Sequence, residues 1–279
     1  MTAIQALALG LIQGIAEFLP ISSSGHLALL KNLLGLAEVP LLFDVILHIA
    51  TLFAVIIVLR RRIVAILAAL WAFLFSRKGE QSGSDAAITD FEVQERARNL
   101  AYIPPILIAT VVTGLLGYGI QRIFPMGDTK AVAMRMLFTA LVLGLTAVVK
   151  PGSRGPDEIG WKRATFVGLA QGVGVFSGIS RSGMTISAGL FAGLDRTTAG
   201  EYSFLLSIPA IGGAFLLTLK DAGSMMETVS YGNLALAALA AFASGLLSLK
   251  LLLKMIKGGK IFWFAPYLVA LGAIGLLFG

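Results

Sequence analysis

Apolar positions in this chain come in long unbroken blocks. Residues 41–59, 100–120, 132–149, 200–219, 234–253 and 261–278 are almost wholly apolar. A helix that crosses a bilayer needs about 20 such residues, so each block predicts one crossing. Residues 63–75 are too short to cross and are expected to extend the first span or to lie at the interface. Two further apolar stretches are interrupted, residues 3–34 by Pro20-Ile-Ser-Ser-Ser-Gly25 and residues 165–194 by Ser177-Gly-Ile-Ser-Arg-Ser-Gly183. Each arm is only about 12–18 residues, enough to reach mid-membrane and return. Two re-entrant helical hairpins are therefore expected, with ordinary kinked spans as the alternative. The predicted fold is all-α and integral to the membrane, with six transmembrane helices and two hairpins in one domain, 1–279.

Composition agrees with this pattern. Of 279 residues, 57% are apolar and 13% charged, where a soluble domain is about 25% charged. The absence of cysteine excludes disulfides and thiolate metal sites. The first 30 residues carry no Lys or Arg, so the basic start of a cleaved signal peptide is missing, and 1–19 is expected to belong to the mature fold. The net charge of +7 reports loop placement, since no nucleic-acid motif accompanies it. If both hairpins return to the side they entered from, one side collects 16 cations, seven from residues 60–98, five from 150–196 with Arg181 set aside inside the hairpin, and four from 250–260. The other side collects five, Lys31, Arg122, Lys130, Arg135 and Lys220. The positive-inside rule makes the richer side cytoplasmic and places both termini outside.

A shift of 158 residues lays Gly10–His26 on Gly168–Met184 with nine of 17 positions identical, including Gln13/Gln171, Gly14/Gly172, Ser22/Ser180, Ser24/Ser182 and Gly25/Gly183. Apolar bias does not explain Gln-Gly and Ser-x-Ser-Gly in register. Three spans separate the copies, so the second enters from the opposite face. This is the pattern of an inverted-topology repeat, 1–150 and 160–279, whose broken helices meet near the midplane. The copies differ where chemistry is concerned: Glu17 opposes Val175, Ser23 opposes Arg181, and His26 opposes Met184.

Arg181 is the most informative of these residues. A cation at bilayer depth is costly and marks function, and its planar fork suits phosphate or carboxylate. With Ser180, Ser182, Gly183 and Thr185 beside it, and a helix start there, the second tip reads as a phosphate cradle. Alternatively, Arg181 pairs with a buried carboxylate, Glu17 or Glu201. At the first tip, Glu17, Ser23 and His26 supply a base, a hydroxyl and an imidazole, with Ser22 and Ser24 as further phosphate contacts. Each singly fits a structural polar group as well. Gln13 and Glu17, at i and i+4, share a helix face and are candidate ligands of a divalent ion. Gln13 and Gln171 also fit hydrogen bonds to the opposing hairpin. Asp44, His48 and Glu201 are expected around the site or as helix caps, and Arg60–Arg62 as a topology anchor.

Gln13-Gly-Ile-Ala-Glu17-Phe-Leu-Pro-Ile-Ser-Ser-Ser-Gly-His26 and Ser180-Arg-Ser-Gly-Met-Thr185 resemble the two motifs of the undecaprenyl-diphosphate phosphatase family of the bacitracin-resistance type. The resemblance implies a metal-assisted hydrolase. It would release phosphate from undecaprenyl diphosphate and return the monophosphate carrier to peptidoglycan and envelope synthesis. It also implies a divalent cation, Mg or Ca, bridged by the substrate. Bacitracin would act on the substrate rather than on the protein. Glu17, Ser23, His26 and Arg181 fall on the family's functional positions. Two residues depart from it: Gln13 stands where many members carry Glu, and Ser177 where the second motif has Pro. Ser23 assisted by His26 is the favoured nucleophile, with His26 itself the other choice. The expected partners are a lipid diphosphate and bilayer lipid, without nucleic acid, and a homodimer is left open. A polyprenyl-phosphate flippase or transporter is the rival, since inverted repeats also build transporters.

Overall fold

A computed structural model describes residues 1–36, 39, 41–75, 90–123, 128–150, 152–219 and 229–278. Arg77, Lys78 and Lys220, used in the cation count, lie outside these. The described residues form helices and turns, with one isolated β-bridge between Arg154 and Leu194. The helices are α1 (Ala3–Phe18), α2 (Ser23–Leu33), α3 (Leu41–Val58), α4 (Arg60–Phe75), α5 (Asp90–Leu100), α6 (Ile103–Ile123) and α7 (Thr129–Leu145). They continue as α8 (Gly160–Val173), α9 (Arg181–Phe191), α10 (Arg196–Thr218), α11 (Tyr231–Lys257) and α12 (Ala265–Phe278).

Four segments are long and apolar enough to cross a bilayer: Phe91–Ile120, Thr129–Val148, Arg196–Thr218 and Tyr231–Lys257. A fifth is formed if α3 and α4 are counted together, although they bend by 77°. Of the two readings of 63–75, the bend removes the one in which it continues the first span as a straight helix. Arg60, Arg61 and Arg62 open α4, and three successive cations are too costly to carry on along an apolar axis. Residues 261–277 group with the shorter apolar helices. They start as a 3₁₀ turn, Ile261–Phe264, and the 14 residues of α12 reach only about 21 Å at 1.5 Å per residue. Leu107, Leu115, Leu216, Leu217, Leu239 and Leu247 are exposed, which gives the spans an apolar outer surface suited to hydrocarbon.

The packing is reciprocal. Helix α1 lies along α11 and α8 along α6, while α3 crosses α10 and α7 lies along α12. Close approach of α1 to α11 depends on missing side chains. A Cβ at Gly10 would run into the Ala237 carbonyl, and one at Gly14 into the Ser244 hydroxyl and the Ala241 carbonyl. The matching Gly168 and Gly172 face Ala109 and Leu116 on α6. Small residues at such crossings let helices touch where burial against lipid supplies no drive.

Candidate active site

Each broken stretch turns on a serine cap. At the first tip, Leu19 ends α1 with extended ψ and Pro20 forbids its continuation. Ser22 then caps α2, its Oγ accepting from the Gly25 amide at 3.3 Å. At the second tip, Ser180 caps α9, its Oγ accepting from the Gly183 amide at 3.1 Å. Ser22 is the one non-glycine residue with positive φ among those described, at +70°. In the second tip Gly178 takes the left-handed turn, at +97°, and Ser180 keeps an ordinary φ of −82°.

The tips meet. Ser182 Oγ donates to the Phe18 carbonyl at 3.0 Å, and Gly25 lies against the backbone of Gly178. The main contact between them is the ion pair of Arg181 with Glu17 Oε1. Of the two carboxylates that could have met Arg181, Glu17 is the partner. Glu17 Oε2 accepts from Ser23 Oγ at 2.8 Å and from Gln13 Nε2 at 3.0 Å, and His48 Nε2 stands 3.2 Å away. The Nδ1–H of His48 donates to the Asp44 carbonyl at 2.7 Å. Glu17, Gln13 and Ser23 are all buried. A carboxylate in so apolar a setting is tolerable only because every oxygen is matched by a donor.

Several expectations need correction. His26 does not bond Ser23: its Nδ1–H donates to the Ser22 carbonyl at 2.8 Å, and Nε2 meets the Tyr267 hydroxyl at 2.7 Å. The hydroxyl partner of Ser23 is Glu17. Thr185 lines the cavity, but its hydroxyl donates to the Arg181 carbonyl at 2.9 Å and meets Ser203 on α10, as β-hydroxyls in helices commonly return to the preceding turn. Neither glutamine reaches the opposing hairpin. Gln13 bonds Glu17 one turn on, and Gln171 donates to Thr113 on α6 at 3.1 Å. Asp44 pairs with Lys31 at 2.7 Å, tying α3 to α2. Glu201 is away from Arg181: it accepts from Arg62 Nε at 2.9 Å and from the Tyr102 hydroxyl at 3.1 Å. Arg62 is therefore a tie between α4 and α10 and not merely a topology anchor. Ser24 sits 3.4 Å from Ser22 Oγ.

The cavity beside the Arg181–Glu17 pair is about 10 Å³, lined by the polar Glu17, Arg181, Ser182 and Ser203 and the apolar Leu52, Val55, Phe204 and Ile211. That volume holds about one water. A phosphate does not fit that space beside the Arg181–Glu17 pair as it stands. Sequence reasoning missed Thr139, whose Oγ1 accepts the Ser180 amide at 3.2 Å, as well as Ser203 and Tyr267. Each is a lone polar residue inside an apolar block, and spacing alone gives no sign of what it faces.

The family model described as bacitracin resistance protein BacA matches residues 6–274. An undecaprenyl-diphosphatase of Treponema denticola is 43% identical over 98% of this chain and 96% of its own length. One from Desulforapulum autotrophicum is 38% identical over 100% and 99%, and one from Methanosphaera stadtmanae 40% over 98% and 97%. With the matching motifs brought together at the two tips, the chain belongs to the bacitracin resistance protein BacA family.

Proposed function

We propose that this chain hydrolyses undecaprenyl diphosphate to undecaprenyl phosphate and inorganic phosphate, with Ser23 as nucleophile. The observation that carries the reading is the convergence of Ser23 and Arg181 on one carboxylate, Glu17, in a chain whose relatives bear the name undecaprenyl-diphosphatase. The incoming diphosphate competes with Glu17 for the Arg181 fork, which binds phosphate oxygens in pairs. The start of α9 and the Ser182 hydroxyl add donors. Glu17, freed on one oxygen, takes the Ser23 proton through Oε2. Ser23 Oγ bonds to the terminal phosphorus as the bridging P–O bond breaks, and undecaprenyl phosphate leaves. Arg181 stabilises the charge that develops. His26 stands one helical turn from Ser23 on the same face of α2. Its Nε2 takes one proton from the water that attacks the phosphoserine, the water's remaining O–H stays on the released phosphate, and Glu17 returns to Ser23 Oγ the proton it took in the first step.

A divalent cation, Mg or Ca, fits this donor set only together with substrate. Among the described residues no three His, Cys, Asp or Glu gather to hold one. Gln13 Oε1 is buried and lacks a partner, and beside Glu17 it offers a second hard oxygen. Gln13 and Glu17 would hold the ion, with diphosphate oxygens completing its shell. When bound, it supplies positive charge to the phosphates.

The same reading assigns six crossings with re-entrant hairpins at 3–34 and 165–194, as an inverted repeat of 1–150 and 160–279 in the cytoplasmic membrane. The reciprocal packing supports it: each hairpin's first arm lies along a helix of the other half, at matching glycine pairs. The excess of cations on one side supports cytoplasmic placement of the loops at 60–98, 150–163 and 250–260. The test is phosphate release from a long-chain polyprenyl diphosphate by the purified protein, against Arg181→Ala. Equal release by the two would overturn the assignment. Mass-spectrometric mapping of a trapped phospho-enzyme separates the nucleophiles, and phosphate on His26 would rule out Ser23.

A further inference from the structure

His26 is held from two sides by groups that leave little choice of protonation. The Ser22 carbonyl, 2.8 Å from Nδ1, can only accept, so Nδ1 carries a proton. Nε2 lies 2.7 Å from the Tyr267 hydroxyl. A phenol is an ordinary donor, and a neutral ring protonated at Nδ1 has its lone pair on Nε2. The two rings are stacked, 9° between planes and 5.8 Å between centroids, so the contact has a defined orientation. Tyr267 lies on α12, which reaches the first tip because α12 packs on α7 and α7 also touches α2.

The charged groups near the ring are otherwise engaged. On α1, Glu17 is taken by Arg181. On α2 itself, Lys31 pairs with Asp44. On α7, Arg135 donates to the Ser177 carbonyl and covers the Phe176 ring. The Ile21 carbonyl also lies beside the imidazole.

We propose that Tyr267 is the positioning residue of His26. Its hydroxyl donates to Nε2, fixes the ring in its Nδ1–H form and keeps it neutral until the phospho-enzyme is hydrolysed. This rests on the assignment of His26 to the second step above. It also accounts for Ser23, rather than His26, being the nucleophile. The one nitrogen with a lone pair is covered during the first step, while Ser23 already faces its base.

The chain has two histidines, His26 and His48, so ¹⁵N-histidine labelling of the full-length protein in detergent gives two ring systems, and His26→Gln identifies one. Tyr267→Phe removes the hydroxyl and keeps the ring stack. The expected result is that the His26 titration midpoint rises by about half to one pH unit, the shift produced by losing one hydrogen bond to the neutral ring. The acidic limb of kcat/KM should rise with it, and kcat should fall about three- to tenfold with KM within about twofold. 3-Fluorotyrosine at position 267, a stronger donor, moves the midpoint down and guards against a misfolded Phe variant. An unchanged midpoint in both variants overturns the contact. A shifted midpoint with unchanged kcat overturns the catalytic role. If the wild-type protein releases no phosphate, the phosphatase reading fails while the titration still reports on the pair.

Discussion

The two helix tips are built alike and equipped differently. In both, a serine accepts from the amide three residues on, Ser22 from Gly25 and Ser180 from Gly183. In the second tip a glycine at 178 absorbs the left-handed turn, and the capping serine is relaxed. In the first, Pro20 constrains the approach and Ser22 itself takes the positive φ, at a cost of about 1 kcal/mol for a residue with a Cβ. The strained tip carries Ser23, Glu17 and His26, and the relaxed one carries Arg181. Backbone strain beside a reactive side chain is a common form of preorganisation. A duplicated turn needs only one strained copy when the other serves to clamp.

The comparison breaks most severely at the clamp. Arg181→Ala should lower kcat about 100- to 1,000-fold, and Arg181→Lys should recover little of it because an ammonium cannot bind phosphate in the planar, paired way. Phosphate release under saturating substrate measures both. If Lys restores near wild-type turnover, the fork is not what matters. On the first tip, Glu17→Gln should cost about 100-fold or more, since an amide cannot accept the Ser23 proton, and the phospho-enzyme should cease to accumulate.

His48 gives a milder and more selective test. His48→Leu removes the ring whose Nε2, in the doubly protonated form, donates to Glu17 Oε2 and should cost about tenfold in kcat. His48→Gln supplies an amide donor and should recover most of the loss. Equal loss in both variants would mean the ring acts through packing.

The glycine pairs test whether the halves are equivalent in packing. Gly14→Ala meets the Ser244 hydroxyl and the Ala241 backbone, whereas the matching Gly172→Ala meets the flexible Leu116 side chain. The first should cost about 2–3 kcal/mol and the second about 1 kcal/mol, read as thermal midpoints in detergent. The smallest effect is expected at Ser22. Ser22→Asn keeps a capping oxygen and accepts positive φ more readily, so stability should change by under about 1 kcal/mol. Ser22→Ala should cost about 1–2 kcal/mol, because it loses the cap and keeps the strain. A large loss with Asn would show that the turn depends on more than its cap and φ.

Much of this was legible in the chain. Helical, membrane-spanning character follows from block length, and the two breaks follow from Pro20, Gly178 and the Ser-rich turns, because both depend on local free energies. The repeat was visible as Gln-Gly and Ser-x-Ser-Gly recurring in register. Other features were not. Thr139, Ser203 and Tyr267 face the site from helices whose other residues face lipid or core. Glu17 was legible as a base for Ser23, but the turn of His26 away from Ser23 toward Tyr267 was not, because it depends on a helix 241 residues further along the chain.

By itself, then, the sequence determined that the chain is a membrane helical protein with two interrupted segments, that the segments share nine of 17 positions in register, and that acid, hydroxyl and imidazole sit on one segment and the cation on the other. Only the tertiary structure decided that Arg181 closes on Glu17 rather than Glu201, and that His26 turns to Tyr267. The division has a physical cause. Hydropathy and backbone breaks act within one helix or turn, so they are written along the chain. A buried charge is satisfied by whichever donor the packing of separate helices brings within 3 Å or so, and that is settled by glycine-sized gaps between α1 and α11 and between α6 and α8.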